Sequence, residues 1–171
     1  GFDFSLQGGM GQQSSVFVRG ANANHTLVLL DGIRIGSATL GTTELQSISP
    51  AQIERIEIVK GPRAAIWGSD AIGGVIQIFT RKMEGGEYQI DGTVGSEKFR
   101  QLQAAVGLSH GEGSTSVSVT RQRAEGFDVL IPAEDDKDGY DYLSVAVKGE
   151  QTITSQLKMD WLVQANQNDT E

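Results

Sequence analysis

Apolar positions follow two different patterns along this chain. Up to residue 82 they come in short runs set between glycines and polar turns: Ser15–Arg19 (SVFVR), Thr26–Leu30, Ile33–Ile35, Ile56–Val59 and Val75–Thr80. Each run reads as a short strand. Asp31-Gly32, between two of them, predicts a hairpin turn of type I′, because both residues tolerate positive φ. Ser49-Pro50 predicts a helix start, with Ser as N-cap and Pro at the first position. That helix must be short, since Ile56 already opens a strand, which Gly61-Pro62 closes. A second short helix is expected over Arg63–Trp67, ending at Gly68. The first half therefore reads as α+β, a small mixed sheet with short helices.

From Gly85 onward the pattern becomes long alternation. Tyr88, Ile90, Gly92 and Val94 alternate with polar residues, and so do Leu102, Ala104, Val106 and Leu108. Val117 and Val119 follow, then Leu143, Val145 and Val147, and finally Ile153, Leu157, Met159, Trp161 and Val163. This predicts about five antiparallel strands of roughly 9–11 residues, a length that spans a bilayer when tilted. Short connections are expected near Gly95–Lys98, Gly111–Gly113 and Gly149–Thr152, and a long acidic one over Glu125–Asp141. The connections before residues 99 and 153 are expected on one side. Alternation alone fits two structures: a soluble sandwich whose apolar side faces a core, and a membrane barrel whose apolar side faces lipid.

Composition narrows the choice only in part. No window approaches the roughly 18 consecutive apolar residues of a spanning helix, which leaves a membrane barrel open. Cysteine is absent, so disulfides and thiolate chemistry are excluded. The net charge of −8 is uneven: residues 1–82 carry seven Lys/Arg and six Asp/Glu, residues 83–171 seven and sixteen. A neutral half followed by an acidic half argues against nucleic acid as a partner. Gly1-Phe2-Asp3 shows neither an initiator Met nor a signal peptide, as expected of a piece of a longer chain.

The glycine-rich stretch KGPRAAIWGSDAIGG lacks the G-x-x-x-x-G-K-[ST] of a phosphate loop and the G-x-S-x-G of a nucleophile elbow. With only His25 and His110 as imidazoles, neither beside an obvious nucleophile, no hydrolase emerges. Tight turns and close backbone packing account for the glycines. The acidic segment EDDKDGYD partly copies a calcium loop at Glu134, Asp136, Asp138 and Gly139. The position that needs a bidentate Glu is Val145, so a looser Ca²⁺ site or a solvated acidic loop remains. Arg19 and Arg63 stand among apolar or small residues, either exposed or paired with carboxylates.

SSVFVRGANANHTLVLLDGIRI followed by ISPAQIERIEIVKGPRAAIWGSDAIGGVIQIFTRK resembles the plug domain of TonB-dependent outer-membrane receptors. GFDFSLQGGMGQQSS, the GSD before AIGG, and EGFDV followed by DKDGY look most like the cobalamin (vitamin B12) receptors among them. The resemblance implies that residues 1–82 are most of a plug and that residues 83–171 are the first four or five strands of an incomplete transmembrane β-barrel. It implies a bacterial outer-membrane transporter, not an enzyme, with no catalytic cofactor. Its partners would be cobalamin or another scarce nutrient, lipid, and the TonB energy-coupling protein, gripped through a segment absent here. It places ligand contacts at Gln12, Gln13, Ser14, Leu40 and Gly41. It places calcium ligands at Asp128, Asp136, Asp138 and, more weakly, Asp169. It pairs Arg19 and Arg63 with barrel glutamates beyond residue 171. A siderophore or haem receptor shares the plug motifs. A soluble calcium-dependent binding module is the alternative from another class. Strands without a closed barrel leave two open edges and an apolar face, so self-association of the chain alone, or folding of the strands over the plug as an ordinary core, is expected.

Overall fold

The computed structural model describes residues 2–6, 14–18, 26–36, 45, 48–60, 67–68, 71, 73–126 and 139–170. These are almost entirely strands, arranged in three sheets. The chain divides into two compact units, with Arg81 in the first and Lys82 in the second.

In the first unit, β1 (Phe2–Leu6) and β2 (Ser14–Val18) form an antiparallel pair. A mixed four-stranded sheet follows, from β3 (Thr26–Leu30), β4 (Ile33–Arg34), β5 (Ile53–Lys60) and β6 (Gly74–Thr80) in the order β4-β3-β6-β5. β3 and β6 run parallel at the centre, flanked by antiparallel neighbours. Every residue of β3 is buried, as a solid apolar run at the centre of a sheet demands. Leu27, Leu29, Ala71 and Val75 form one buried cluster.

The Asp31-Gly32 turn joins β3 to β4 with φ of +49° and +83°, the pair of positive angles of a type I′ hairpin. Asp31 also ties the turn to the far end of β6. Its carboxylate accepts from the Thr80 backbone N–H at 3.0 Å and from the Thr80 hydroxyl at 2.5 Å. The next residue is fixed to the edge strand region, Arg81 N–H donating to Gln52 O at 2.8 Å. At that edge the Arg55 guanidinium lies 3.7 Å from the centre of the Phe79 ring.

The short helices expected here require correction. The segment opened by Ser49-Pro50 is a single 3-10 turn, Pro50–Gln52, and Ser49 makes no side-chain cap bond. Only three residues separate Ser49 from β5, so the chain turns and enters the sheet before an α-helical ladder can begin. Of the expected helix at 63–67 only Trp67 is described; it is helical, and Gly68 follows with φ +89°.

The second unit is one antiparallel meander, β7 (Tyr88–Val94), β8 (Arg100–His110), β9 (Gly113–Ala124), β10 (Tyr140–Thr154) and β11 (Leu157–Thr170), each strand paired with the next. The turn expected at Gly149–Thr152 does not exist. β10 continues to Thr154, and the reversal is Ser155-Gln156. Gly149 is a strand residue that makes room for an aromatic ring: a Cβ there would lie 2.3 Å from Trp161. The connection at 95–99 and that at 155–156 lie at opposite ends of the sheet, not on one side, because three strands separate them. The 95–99 turn and the long 125–139 connection share one end. Gly111-Glu112 and Ser155-Gln156 share the other.

Candidate functional site

The registers of β7–β11 assign every side chain to one of two faces. Residues paired directly across antiparallel strands share a face. Tyr88, Val106, Val117, Val147 and Val163 therefore form one row, and Ile90, Ala104, Val119, Val145 and Ala165 the next. On the opposite face run Gln103, Thr120, Ser144 and Asn166, then Gln101, Gln122 and Tyr142.

The apolar face is the exposed one. Ile90 is 73% exposed, Leu102 60% and Val163 64%, whereas Thr120 and Ser144 are fully buried. A water-soluble sandwich has the reverse arrangement. An apolar outer band with a polar interior is the pattern of an outer-membrane barrel. The structure thus answers the question that alternation left open.

Buried polar side chains need partners, and several find them across or along the strands of this sheet. Gln122 donates to Gln101 Oε1 at 2.7 Å and accepts from the Tyr140 hydroxyl. Gln164 donates to Ser144 Oγ at 3.4 Å and to Asn166 Oδ1 at 3.1 Å. Tyr140 and Tyr142 stack on each other and cluster with Ala124, and Phe99 packs against them, capping this face toward the 95–99 turn.

At the other end of the same face, Glu150 accepts from two lysines, Lys82 Nζ at 2.7 Å and Lys158 Nζ at 2.8 Å. Lys82 is the first residue of the second unit after Arg81, so this bridge fixes the chain where the sheet's unit begins. On the apolar face at this end, Trp161 stacks on His110 with ring centres 6.1 Å apart. His110 is held on both ring nitrogens, by Gln151 Oε1 at 2.9 Å and Thr115 Oγ1 at 2.7 Å. Tyr88, Trp161 and His110 place aromatic rings at one rim of the apolar band, as barrels do at a membrane interface.

The residues marked by the sequence fall mostly elsewhere. Gln12, Gln13, Leu40, Gly41, Arg19, Arg63, Asp128, Asp136 and Asp138 lie outside the described residues. Ser14 opens β2, its backbone opposite Leu6. Asp169 is described: it sits near the end of β11 opposite Asp141 and accepts from Gln167 Nε2 at 3.0 Å. Among the described residues no group of three metal-ligating side chains gathers. Sequence reasoning passed over Glu150 with its two lysines, and Arg100 of β8, which stands opposite Arg123 of β9 at the 95–99 end of the sheet. Both are defined by register, and only the parity of Lys158 on the polar face hinted at the first.

Residues 1–75 match the family described as TonB-dependent Receptor Plug Domain. The chain is 42% identical over 138 residues to a protein of Photobacterium profundum named vitamin B12 transporter BtuB, covering 79% of this chain and 23% of that protein. It is 37% identical over 180 residues to the Vibrio vulnificus protein of the same name, covering 97% of this chain and 27% of the relative. The chain thus spans about a quarter of the length of these relatives. Among solved structures, the ferric yersiniabactin uptake receptor FyuA of Yersinia pestis superposes with a TM-score of 0.76 at 20% identity, covering 98% of this chain and 27% of that one. The siderophore receptor PirA of Acinetobacter baumannii gives 0.68 at 21% identity, covering 99% and 28%. These two likenesses establish the fold. Members of this family are transporters of the bacterial outer membrane and not enzymes. With its plug match, its barrel-like strands and these relatives, the chain belongs to the TonB-dependent receptors.

Proposed function

We propose that this chain is part of a TonB-dependent transporter that captures cobalamin outside the cell and takes it up with energy relayed by TonB. The observation that carries the substrate is the pair of relatives named vitamin B12 transporter at 42% and 37% identity, the second aligned along 97% of the chain. In this reading residues 1–82 form the plug and residues 83–171 the first strands of the barrel wall, with the exposed apolar rows against lipid. Gln12, Gln13, Ser14, Leu40 and Gly41 contact the corrinoid. Arg19 and Arg63 pair with barrel glutamates. Asp128, Asp136 and Asp138, with Asp169, hold Ca²⁺ and order the outer loops. Asp169 supports this by lying at the same end of the sheet as the 125–139 connection.

Transport then needs no covalent chemistry. Ligand bound on the outer plug loops biases the receptor toward one state, and mechanical work on the plug populates the open one. A siderophore receptor is the second reading. The siderophore receptors PirA of Acinetobacter baumannii and of Pseudomonas aeruginosa, which favour it, are each only 21% identical, so they speak for the fold. Corrinoid binding by the receptor that carries this chain decides. The expected result is saturable binding, weakened at least about ten-fold by Gln12→Ala with Leu40→Ala and weakened again by Ca²⁺ chelation. Absence of binding with intact loops would sink the cobalamin assignment.

A further inference from the structure

The exposed apolar face does not end in neutral residues at the 95–99 end. Its last full row contains Arg100 and Arg123, which stand directly opposite each other in the β8–β9 register. Arg121 lies on the same face two residues closer to the apolar band, opposite Leu102 and Leu143. All three are exposed.

Two like charges directly opposite destabilise an antiparallel pair. The neighbouring carboxylates do not resolve the conflict. Asp141 is opposite Arg123 in register but bonds Arg121 instead, at 2.9 Å, and Asp169 accepts from Gln167. Among the described residues, Arg100 and Arg123 make no ion pair and no side-chain hydrogen bond. Two arginines therefore stand opposite each other in register, both exposed, at the edge of an apolar surface.

We propose that Arg100 and Arg123, flanked by Arg121, hold the phosphate of a lipid headgroup in the outer leaflet. Guanidinium forks match phosphate oxygens two at a time, and an anion between them turns the like-charge pair into a two-sided clamp. A lipid is favoured over a soluble anion by position. The row below the arginines carries Leu102 and Leu143, and below it lie Ala104, Val119 and Val145, so one molecule reaches the arginines with its headgroup and the band with its acyl chains. The outer leaflet follows from the connections. The arginine end carries the long 125–139 connection, while the other end has two-residue turns, and barrels keep their short turns on the periplasmic side. This inference rests on the outer-membrane reading of the sheet.

The test is native mass spectrometry of the detergent-purified receptor that carries this chain. It is titrated separately with bis-phosphorylated lipid A, dephosphorylated lipid A and inorganic phosphate. The phosphorylated lipid is expected to bind best. Arg100→Gln with Arg123→Gln should weaken it at least about ten-fold, and Arg100→Lys with Arg123→Lys by less, since charge remains but the fork is lost. The dephosphorylated lipid should bind wild type and variants alike. Unchanged retention by the Gln variant, no preference for the phosphorylated lipid, or inorganic phosphate binding as tightly as the lipid would each overturn the proposal. If the Gln variant does not fold, equal binding by the Lys variant and wild type, with no preference for phosphate, overturns it. Recovery of the receptor without detergent would overturn the membrane reading too, whereas any of the other results in a detergent-dependent receptor overturns this inference alone.

Discussion

The two larger sheets of this protein follow opposite burial rules. In β4-β3-β6-β5 the apolar side chains of the two central strands lie inside, with all of β3 buried and Leu27, Leu29, Ala71 and Val75 in one cluster, while only the edge strands expose Ile33, Ile56, Ile58 and Val59. In β7–β11 one face is apolar and exposed, and the buried face carries glutamine, serine and threonine, with Ala124, Tyr140 and Tyr142 at one end. Both sheets are built from much the same residue types. The difference lies in the medium each face is matched to. An apolar face of the first sheet gains by leaving water for protein. An apolar face of the second gains by leaving water for hydrocarbon, so its inner face is free to be polar wherever hydrogen bonds cross between strands, as Gln122 does to Gln101.

The contrast can be broken most directly by deleting a side chain from each apolar face. Leu29→Ala, in the protein interior, should destabilise by about 2–5 kcal/mol, because the cavity stays unfilled. Val145→Ala on the exposed face should cost only about 1 kcal/mol, since lipid refills the space and only the transfer part remains. Denaturant unfolding of the receptor in lipid vesicles measures both, and equal losses would erase the distinction. A smaller to comparable effect, about 2–4 kcal/mol, is expected from Val145→Arg, which puts a charge in the middle of the lipid-facing band. Vesicle refolding yield and stability report it, and a silent substitution would show that this face does not meet lipid.

The smallest effect sharpens the comparison at the turns. Asp31-Gly32 in the first sheet and Glu97-Lys98 in the second both use positive φ, +49° and +83° against +49° and +51°. Only the first uses residues suited to it. Replacing Glu97 by Asn and Lys98 by Gly should stabilise the second hairpin by about 1 kcal/mol. The exposed Lys98–Glu125 pair lost in the exchange is worth less than that. A lower melting temperature for the double variant would mean that the Lys98–Glu125 contact outweighs the relief of the backbone.

What the residues disclosed by themselves follows from how local each signal is. Asp31-Gly32 specifies its turn within two positions, and the turn is there. Ser49-Pro50 is an equally local signal, but β5 begins too soon for a helix to grow, and a neighbouring strand overrode it. Gly149 reads as a turn residue in one dimension and as space for Trp161 once β10 and β11 are paired. The alternation of β7–β11 showed that its two faces differ. It could not say which is buried, because a period of two is unchanged when the faces are exchanged. Arg100 and Arg123 are 23 positions apart in the chain and become a pair only through register. The residues assigned to corrinoid and calcium came from family resemblance, and apart from Ser14 and Asp169 they fall outside the described residues.

The unequal ends of the β7–β11 sheet constrain how such a protein can evolve. Tyr140 pairs directly with Ala124, so the strands on either side of the 125–139 connection hold their register whatever its length. Lengthening such a loop costs little, growing only with the logarithm of its size. Inserting one residue into the two-residue turn at Gly111-Glu112 threatens a slip that would exchange the valine face of β9 for its glutamine face. Changes in length are therefore tolerated at one rim of the sheet and resisted at the other.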